Sequence, residues 1–301
     1  MNFLETAARG FVWPIVVGTL FLLPLLVLAA MLHRMKKAYR AMAAEPFTQL
    51  PLRPPGESLR LAIEKMSEDF DDHFLTVAAT GGIACVVTMI APPAQRLSLG
   101  LVMFAATALV TFWKGRKLKV LIRRLWDFRL GFMGERVVGE ELNQLLASGF
   151  RVFHDIPFDG FNVDHVLVGP PGVYAVETKA RRKPSDVKGV EKAKVTFDGE
   201  TLTYPQGYVD RRALEQARRN ARTLEEWLTK ACGERVMANA ILTLPGWWVD
   251  RRAVGDVNVL NPEEIKRSFP NRPKQPLSAS QIERIGYQLS ERCRLPPTAK
   301  M

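Results

Sequence analysis

The stretch "NVDHVLVGPPGVYAVETKARRK", residues 162–183, sets two carboxylates and an amine on strands apolar enough to be buried. Two apolar runs, "HVLVG" and "GVYAV", flank the breaker cluster Gly169-Pro170-Pro171-Gly172 and read as two strands joined by a turn. Side chains alternate faces along a strand, so Val173, Ala175, Glu177 and Lys179 share one face. Glu177 and Lys179 then stand about 6.6–7 Å apart along it. A hairpin register symmetric about the turn places Asp164 opposite Glu177. Like charges facing one another destabilise a sheet, and burying them unpaired is costly. A divalent cation removes both penalties, and Mg²⁺ ordinarily takes one or two carboxylates completed by water and phosphate. Asp164 and Glu177 are therefore candidate metal ligands, with the Thr178 carbonyl as a further oxygen. Lys179 is placed to hold or deprotonate a water, or to stabilise charge developing on phosphorus. The bland alternative is an edge-strand ion pair between Glu177 and Lys179, with Asp164 solvated at a strand end.

Patterning around this pair predicts the elements that position it. "KVLIRRLWDFRLGFMGERVVGEELNQLLASG" reads as helix, with a break near Gly131 and a stop at Gly149. "FRVFHDIPF" alternates as a strand, and "KVTFDGETLTY" is a hairpin about an Asp-Gly turn. Residues 211–231 form an amphipathic helix whose apolar stripe is Ala213, Leu214, Ala217, Ala221, Leu224 and Leu228. "VMANAILTLP" and "VNVL" are further strands, Asn261-Pro262 opens a brief helix, and a last helix covers 278–292. This order predicts one α/β domain with a mixed sheet flanked by helices.

The chain before residue 114 is different in kind. Residues 11–32 carry no charge and are followed by "HRMKKAYR", which favours a retained anchor over a cleaved signal peptide. Residues 74–90 and 97–113 predict a transmembrane hairpin about "APPAQR", against the alternative of a buried soluble helical pair. Basic residues cluster at Arg34, Lys36, Lys37 and Arg40, and again from Lys114 to Arg124. The positive-inside bias then places the N-terminus outside, a linker at 33–73 inside, the short 91–96 turn outside and residues 114–301 in the cytoplasm, at an inner membrane. Cysteines and histidines show no disulfide or zinc spacing. The net charge of +11 suits either anionic lipid or nucleic acid.

Three blocks, "GFMGERVVGEELNQLL", "NVDHVLVGPPGVYAVETKARR" and "LEQARRNARTLEEWL", resemble the NERD (nuclease-related) domain of the PD-(D/E)XK nuclease superfamily. The resemblance implies a restriction-endonuclease-like mixed sheet flanked by helices, preceded here by a transmembrane helical region. It divides the chain into a membrane region at 1–113, a basic juxtamembrane helix at 114–127, the nuclease-like domain at 128–270, and a C-terminal helix and tail at 271–301. Carried over, it implies Asp164 and Glu177 as metal ligands and Lys179 as the catalytic lysine. Glu135 matches the helix carboxylate that completes such sites directly or through water, with Glu140 as runner-up. Gln216 matches the later helix glutamine, and Asn220 shares its face. Val163 stands where the superfamily's nominal proline would be. His165, on the opposite face from Asp164, is expected to be packed rather than catalytic. Arg181, Arg182 and Lys183 are expected to leave the strand toward solvent and hold phosphates of DNA or RNA. The expected function is a membrane-anchored, Mg²⁺- (or Mn²⁺-) dependent nuclease. A silent nucleic-acid-binding module tethered to the bilayer, or a membrane scaffold, are the alternatives.

Overall fold

A computed structural model describes residues 50–184, 189, 193–268 and 276–295, with scattered positions between 27 and 38. The expected span at 11–32 lies almost wholly outside the described residues. The chain divides into two compact units, one of Met1–Thr48, Lys65–Arg124 and Thr298–Met301, the other of Gln49–Glu64 and Leu125–Pro297.

Two long helices dominate the first part of the chain: α1, Glu57–Ile90, and α2, Arg96–Asn143, joined through a 3-10 turn at Pro93–Gln95. Both are long and apolar enough to cross a membrane, and their apolar stretches are not buried in the protein. Phe74, Ile83 and Met89 of α1 and Leu97, Phe104 and Phe112 of α2 are all exposed. Such an apolar surface is unfavourable in water and ordinary in lipid.

Three sequence expectations need correction here. The linker read at 33–73 is helical from Glu57 onward. Segments 97–113 and 114–127 and the first domain helix are one element, because α2 is continuous. The break near Gly131 does not occur, since glycine weakens a helix without ending it when packing holds both sides. Gly134 and Gly139 explain why glycines sit in α2. A Cβ on Gly134 would lie 2.5 Å from Ala180 Cβ, and one on Gly139 would lie 2.4 Å from Pro55 Cγ. Both positions permit close approach of neighbouring chain.

The second unit is a mixed α/β fold. Strands β1 (Arg151–Phe158), β2 (Phe161–Gly169) and β3 (Gly172–Thr178) form an antiparallel meander. Beyond the short strands β4 (Lys194–Phe197), β5 (Leu202–Thr203) and β6 (Val209–Asp210), helix α3 (Arg212–Cys232) crosses back to β7 (Ala238–Thr243), which lies parallel to β3. β8 (Trp248–Arg251) and β9 (Asn258–Leu260) follow, then α4 (Pro262–Ser268) and α5 (Ala279–Arg292). The strands make two sheets, β1-β2-β3-β7-β9 and β6-β5-β4-β8, where the sequence predicts one. The Asp-Gly hairpin forms as expected between β4 and β5, but β8 pairs with β4 and draws it into a sheet of its own. Single-chain patterning cannot see that pairing, because β6 and β8 are too short to carry a period.

Alternation along β3 divides the core. Val173 and Ala175 pack toward Leu214, Ala217, Leu224 and Leu228 of α3 and Ile285 and Leu289 of α5. Tyr174 and Val176 pack toward Val138 and Leu142 of α2 and Ile265 of α4. Glu177 and Lys179 continue the α3-facing row, so a charged pair ends a buried apolar stripe.

The tight α2–β3 contact gives a stability prediction with a contested sign. Gly→Ala in a helix interior ordinarily gains about 1 kcal/mol, whereas overpacking a close contact costs about 1–3 kcal/mol. At Gly134 the contact is expected to win, so Gly134→Ala lowers the unfolding midpoint in chemical denaturation followed by tryptophan fluorescence. A raised midpoint would show that α2 and β3 are not in contact at this point.

Candidate active site

The carboxylates arrive from neighbouring strands. The β2–β3 ladder runs from Gly169↔Gly172 to His165↔Val176, and its next step brings Asp164 level with Glu177, as the symmetric turn predicts. There the Thr178 N–H donates to Asp164 Oδ2 at 2.7 Å. Glu177 is only 1% exposed. Lys179 Nζ donates to Glu177 Oε1 at 2.7 Å and to Gln216 Oε1 at 3.0 Å. Asn220 Nδ2 donates to Glu177 Oε2 at 2.7 Å. Gln216 and Asn220 are one turn apart on α3, so a single helix face brackets both partners of the ion pair.

Glu135 reaches the same region from α2. A cleft of about 720 Å³ is bordered by Glu135, Asp164, Glu177, Lys179 and Gln216, with Ser58 and Phe161 on its walls. Glu140 is exposed instead and pairs with Arg136 at 3.4 Å. Five of the expected site residues therefore share one opening.

The electrostatics follow from crowding acids away from water. Burial, then Asp155 and Glu177, push Glu135 up to about 8 against the pull of Lys179. Burial, with Glu177 and Glu135, holds Asp164 well above the usual carboxylate range, although Thr178 N–H and Lys179 oppose it. Burial also raises Glu177, despite Lys179, Arg219 and the Asn220 amide. For Lys179 burial works against the charge, but Glu177, Asp164 and Asp210 outweigh it and raise its pKa. One ammonium thus faces several carboxyl groups that are hard to ionise together.

Among the described residues, no three of His, Cys, Asp and Glu gather closely enough to hold a metal ion. Asp164 and Glu177 alone supply two hard oxygen donors, the number Mg²⁺ ordinarily takes from protein. By donor chemistry the pair fits that ion. Glu135 borders the cleft without joining them in a three-carboxylate cluster.

His165 lies on the far face of β2, fully buried. His165 and His154 meet at 2.8 Å through their Nδ1 atoms, His165 Nε2 lies 3.2 Å from Thr178 Oγ1, and His154 Nε2 lies 3.0 Å from Asn143 Oδ1. The Asn143 carbonyl needs a donor, which puts the His154 proton on Nε2 and leaves its Nδ1 to accept from His165. Thr178 then donates to His165. With both rings neutral, every bond in the chain has one donor and one acceptor.

The basic run behaves differently from expectation at its first residue. Arg181 does not leave toward solvent but folds back into an ion pair with Asp210, against Tyr204 and Tyr208. The cause is a buried carboxylate, Asp210 being 4% exposed, which needs a cation. Arg182 and Lys183 are exposed, with Arg182 3.2 Å from exposed Asp127.

Asn220, expected to share the Gln216 face, stands among the alanines and leucines of the α3 stripe and bonds Glu177. One contributor was not legible as a site residue: Asp155, 1% exposed and at φ +50°. It accepts from Arg53 Nε (2.7 Å), Ser58 N (2.9 Å), Ser58 Oγ (2.6 Å) and Asn162 Nδ2 (2.8 Å). This carboxylate fastens residues 53–58 so that Ser58 walls the cleft. Leu52 also bridges Arg294, and Arg53 N–H donates to the Cys293 carbonyl.

Removing one partner of a buried ion pair costs about 3–5 kcal/mol. Asp155→Ala is accordingly expected to destabilise by that order, and to expose the 50–60 segment to protease at its arginines. Unchanged digestion would show that the strap is held otherwise. The histidines give a pH dependence. Burial pushes His154 down to about 4 against the pull of Asp155, below its unfolded value of about 6.5. The unfolded chain therefore binds more protons between these values. Stability is full above about pH 6.5 and falls by roughly 3 kcal/mol on acidification to pH 4. Denaturation midpoints at pH 7 and 5 should differ less in His154→Gln than in the parent chain.

Comparison with curated proteins and with solved structures gave no match. Residues 130–249 match the family model for NERD, described as the nuclease-related domain. The match begins in the part of α2 that carries Glu135, takes in Asp164, Glu177, Lys179 and Gln216, and ends inside β8. The chain carries a nuclease-related domain at residues 130–249.

Proposed function

We propose that this protein is a membrane-anchored nuclease that hydrolyses phosphodiester bonds of cytoplasmic nucleic acid with the help of Mg²⁺ or Mn²⁺. The observation that carries the reading is the convergence of Asp164, Glu177 and Lys179, from the ends of two paired strands, on one open cleft within a nuclease-related domain. A purely structural ion pair would need neither the second carboxylate nor the opening.

Asp164 and Glu177 would hold the metal ion, with Glu135, on the wall of the same cleft, joining through water. Bound there, the ion supplies a Lewis acid toward the phosphate and lowers the pKa of water. The residues themselves fix the rest. As an ammonium paired with Glu177, Lys179 would stabilise charge developing on the phosphate. Two of its three N–H bonds go to Glu177 and Gln216, leaving one for a phosphate oxygen. Asn220 keeps Glu177 oriented, and Gln216 keeps the ammonium over the cleft. Arg182 and Lys183 add sequence-independent attraction to phosphates. Membrane anchoring rests on α1 and α2, and the cytoplasmic placement rests on the basic residues that follow the apolar stretches.

The full-length protein in detergent, with Mg²⁺, is expected to cleave linear or single-stranded nucleic acid and to stop on chelation. Lys179→Ala and Glu177→Gln should each reduce the rate by about 10²-fold or more, with binding at low salt retained. Mg²⁺-dependent cleavage that survives Glu177→Gln would sink the assignment. Salt-sensitive binding with no cleavage by the parent chain would instead favour a silent tether.

A further inference from the structure

The cleft has a neighbour. A second cavity of about 390 Å³ adjoins it, the two sharing Asp127 and Ala180 as wall residues. Its lining includes Tyr204, Tyr208, Trp247, Arg181 and Arg182, from β5–β6, the turn after β7 and the chain leaving β3. Tyr204 and Trp247 meet edge to face with ring centroids 5.1 Å apart. The Arg181 guanidinium lies 5.0 Å and 4.8 Å from the ring centres of Tyr204 and Tyr208 and is held there by Asp210.

Two polar atoms around this space, Arg181 Nε and Trp247 Nε1, are buried without a hydrogen-bond partner, and the Tyr204 hydroxyl faces the Arg181 guanidinium. Orphaned buried groups are rare in native interiors, and two on one cavity mark it as made for an occupant. Both can only donate, so the occupant presents acceptors. The walls are aromatic rings and a planar cation, so it also presents a flat face.

We infer that this cavity takes one unpaired nucleobase, stacked on its aromatic wall and held at its acceptor edge, from the nucleic acid whose backbone crosses the cleft. The inference rests on the proposed nuclease reading and narrows its substrate class to single-stranded or locally opened nucleic acid. A base inside a duplex has its faces stacked and its edge paired, and only an unpaired one offers both. Arg182 lies against Asp127 at the boundary of the two openings, where a phosphate between the bound base and the scissile bond would pass. The pinned Arg181 belongs to the pocket wall and not to the phosphate track.

The test is binding by the full-length protein in detergent with chelator present, read by fluorescence anisotropy at one fixed salt concentration. Probes are a single-stranded oligonucleotide, the same strand with its bases removed at the central positions, and a blunt duplex. The single strand is expected to bind about tenfold tighter than the duplex, and base removal to abolish most of that margin. Trp247→Phe keeps a ring and removes the N–H. Tyr208→Ala removes a half-exposed wall with little risk to folding. Each should weaken single-strand binding about five- to tenfold while leaving duplex binding unchanged. Tyr208→Ala should also leave the melting temperature unchanged, whereas Trp247→Phe, which shrinks a buried core residue, should lower it. Equal affinity for single strand and duplex, or wild-type single-strand binding by Tyr208→Ala, overturns the pocket. The two readings fail separately. Cleavage that needs Lys179 but ignores Trp247 and Tyr208 removes the pocket alone. Base-dependent binding without any cleavage supports the pocket and removes the hydrolase.

Discussion

The ion pair between Glu177 and Lys179 is the constraint around which this domain is arranged. A carboxylate that is 1% exposed survives in a protein interior only if its oxygens are hydrogen-bonded and a countercharge lies in contact. The lysine two residues on meets the second requirement by strand alternation alone. The first requires α3, whose Asn220 must fall on Glu177 while Gln216, one turn away, takes Lys179. That fixes the rotation of the helix about its axis, and the apolar stripe then seats Leu214, Leu224 and Leu228 against the sheet. Site and core share one helix orientation, so neither can shift without the other.

Much of this was readable in the sequence, and the reason is local. A four-residue breaker between two apolar runs fixes a hairpin register, and a register fixes which residues face each other. Asp164 opposite Glu177 and Lys179 beside it follow from counting. So does the burial of His165, because it stands one residue off the acidic face. Helix α3 was legible for the same reason, since its stripe keeps period over several turns. What escaped depends on distant partners. The second sheet rests on β4 pairing with β8, a parallel contact between short strands far apart in sequence. The Asp155 strap joins residues about a hundred positions apart, and nothing around Arg53 marks it as more than a proline-flanked loop.

Glycines in α2 show how a local rule can point the wrong way. Taken alone, Gly131 and Gly134 lower helix propensity and suggest a break. In the fold, Gly134 lets β3's continuation at Ala180 lie against the helix, and Gly139 admits Pro55. Glu135 is carried to the cleft by this same close approach, since it neighbours Gly134 on the helix that the contact pulls in. The propensity loss is distributed through a helix of 48 residues, where cooperativity absorbs it. Sequence punctuation here encodes proximity, not an ending.

Charge is the other property that composition overstates. A net charge of +11 invites a picture of a uniformly basic surface, yet several arginines are committed to ion pairs. Arg53 and Arg181 go to the buried Asp155 and Asp210, and Arg218 and Arg251 to Asp256 and Glu264 at the surface. A guanidinium locked to a buried carboxylate contributes little long-range attraction, because the pair is nearly neutral from a distance. Its fork is spent on the carboxylate, but its planar face can still stack, which recognises shape rather than net charge. Arg181 illustrates the exchange: withdrawn from a loose basic run, it gains two tyrosine faces and a fixed position beside a cavity. What it gives up in reach toward phosphate it recovers as a rigid wall, which is the kind of surface able to tell an unstacked base from a paired one.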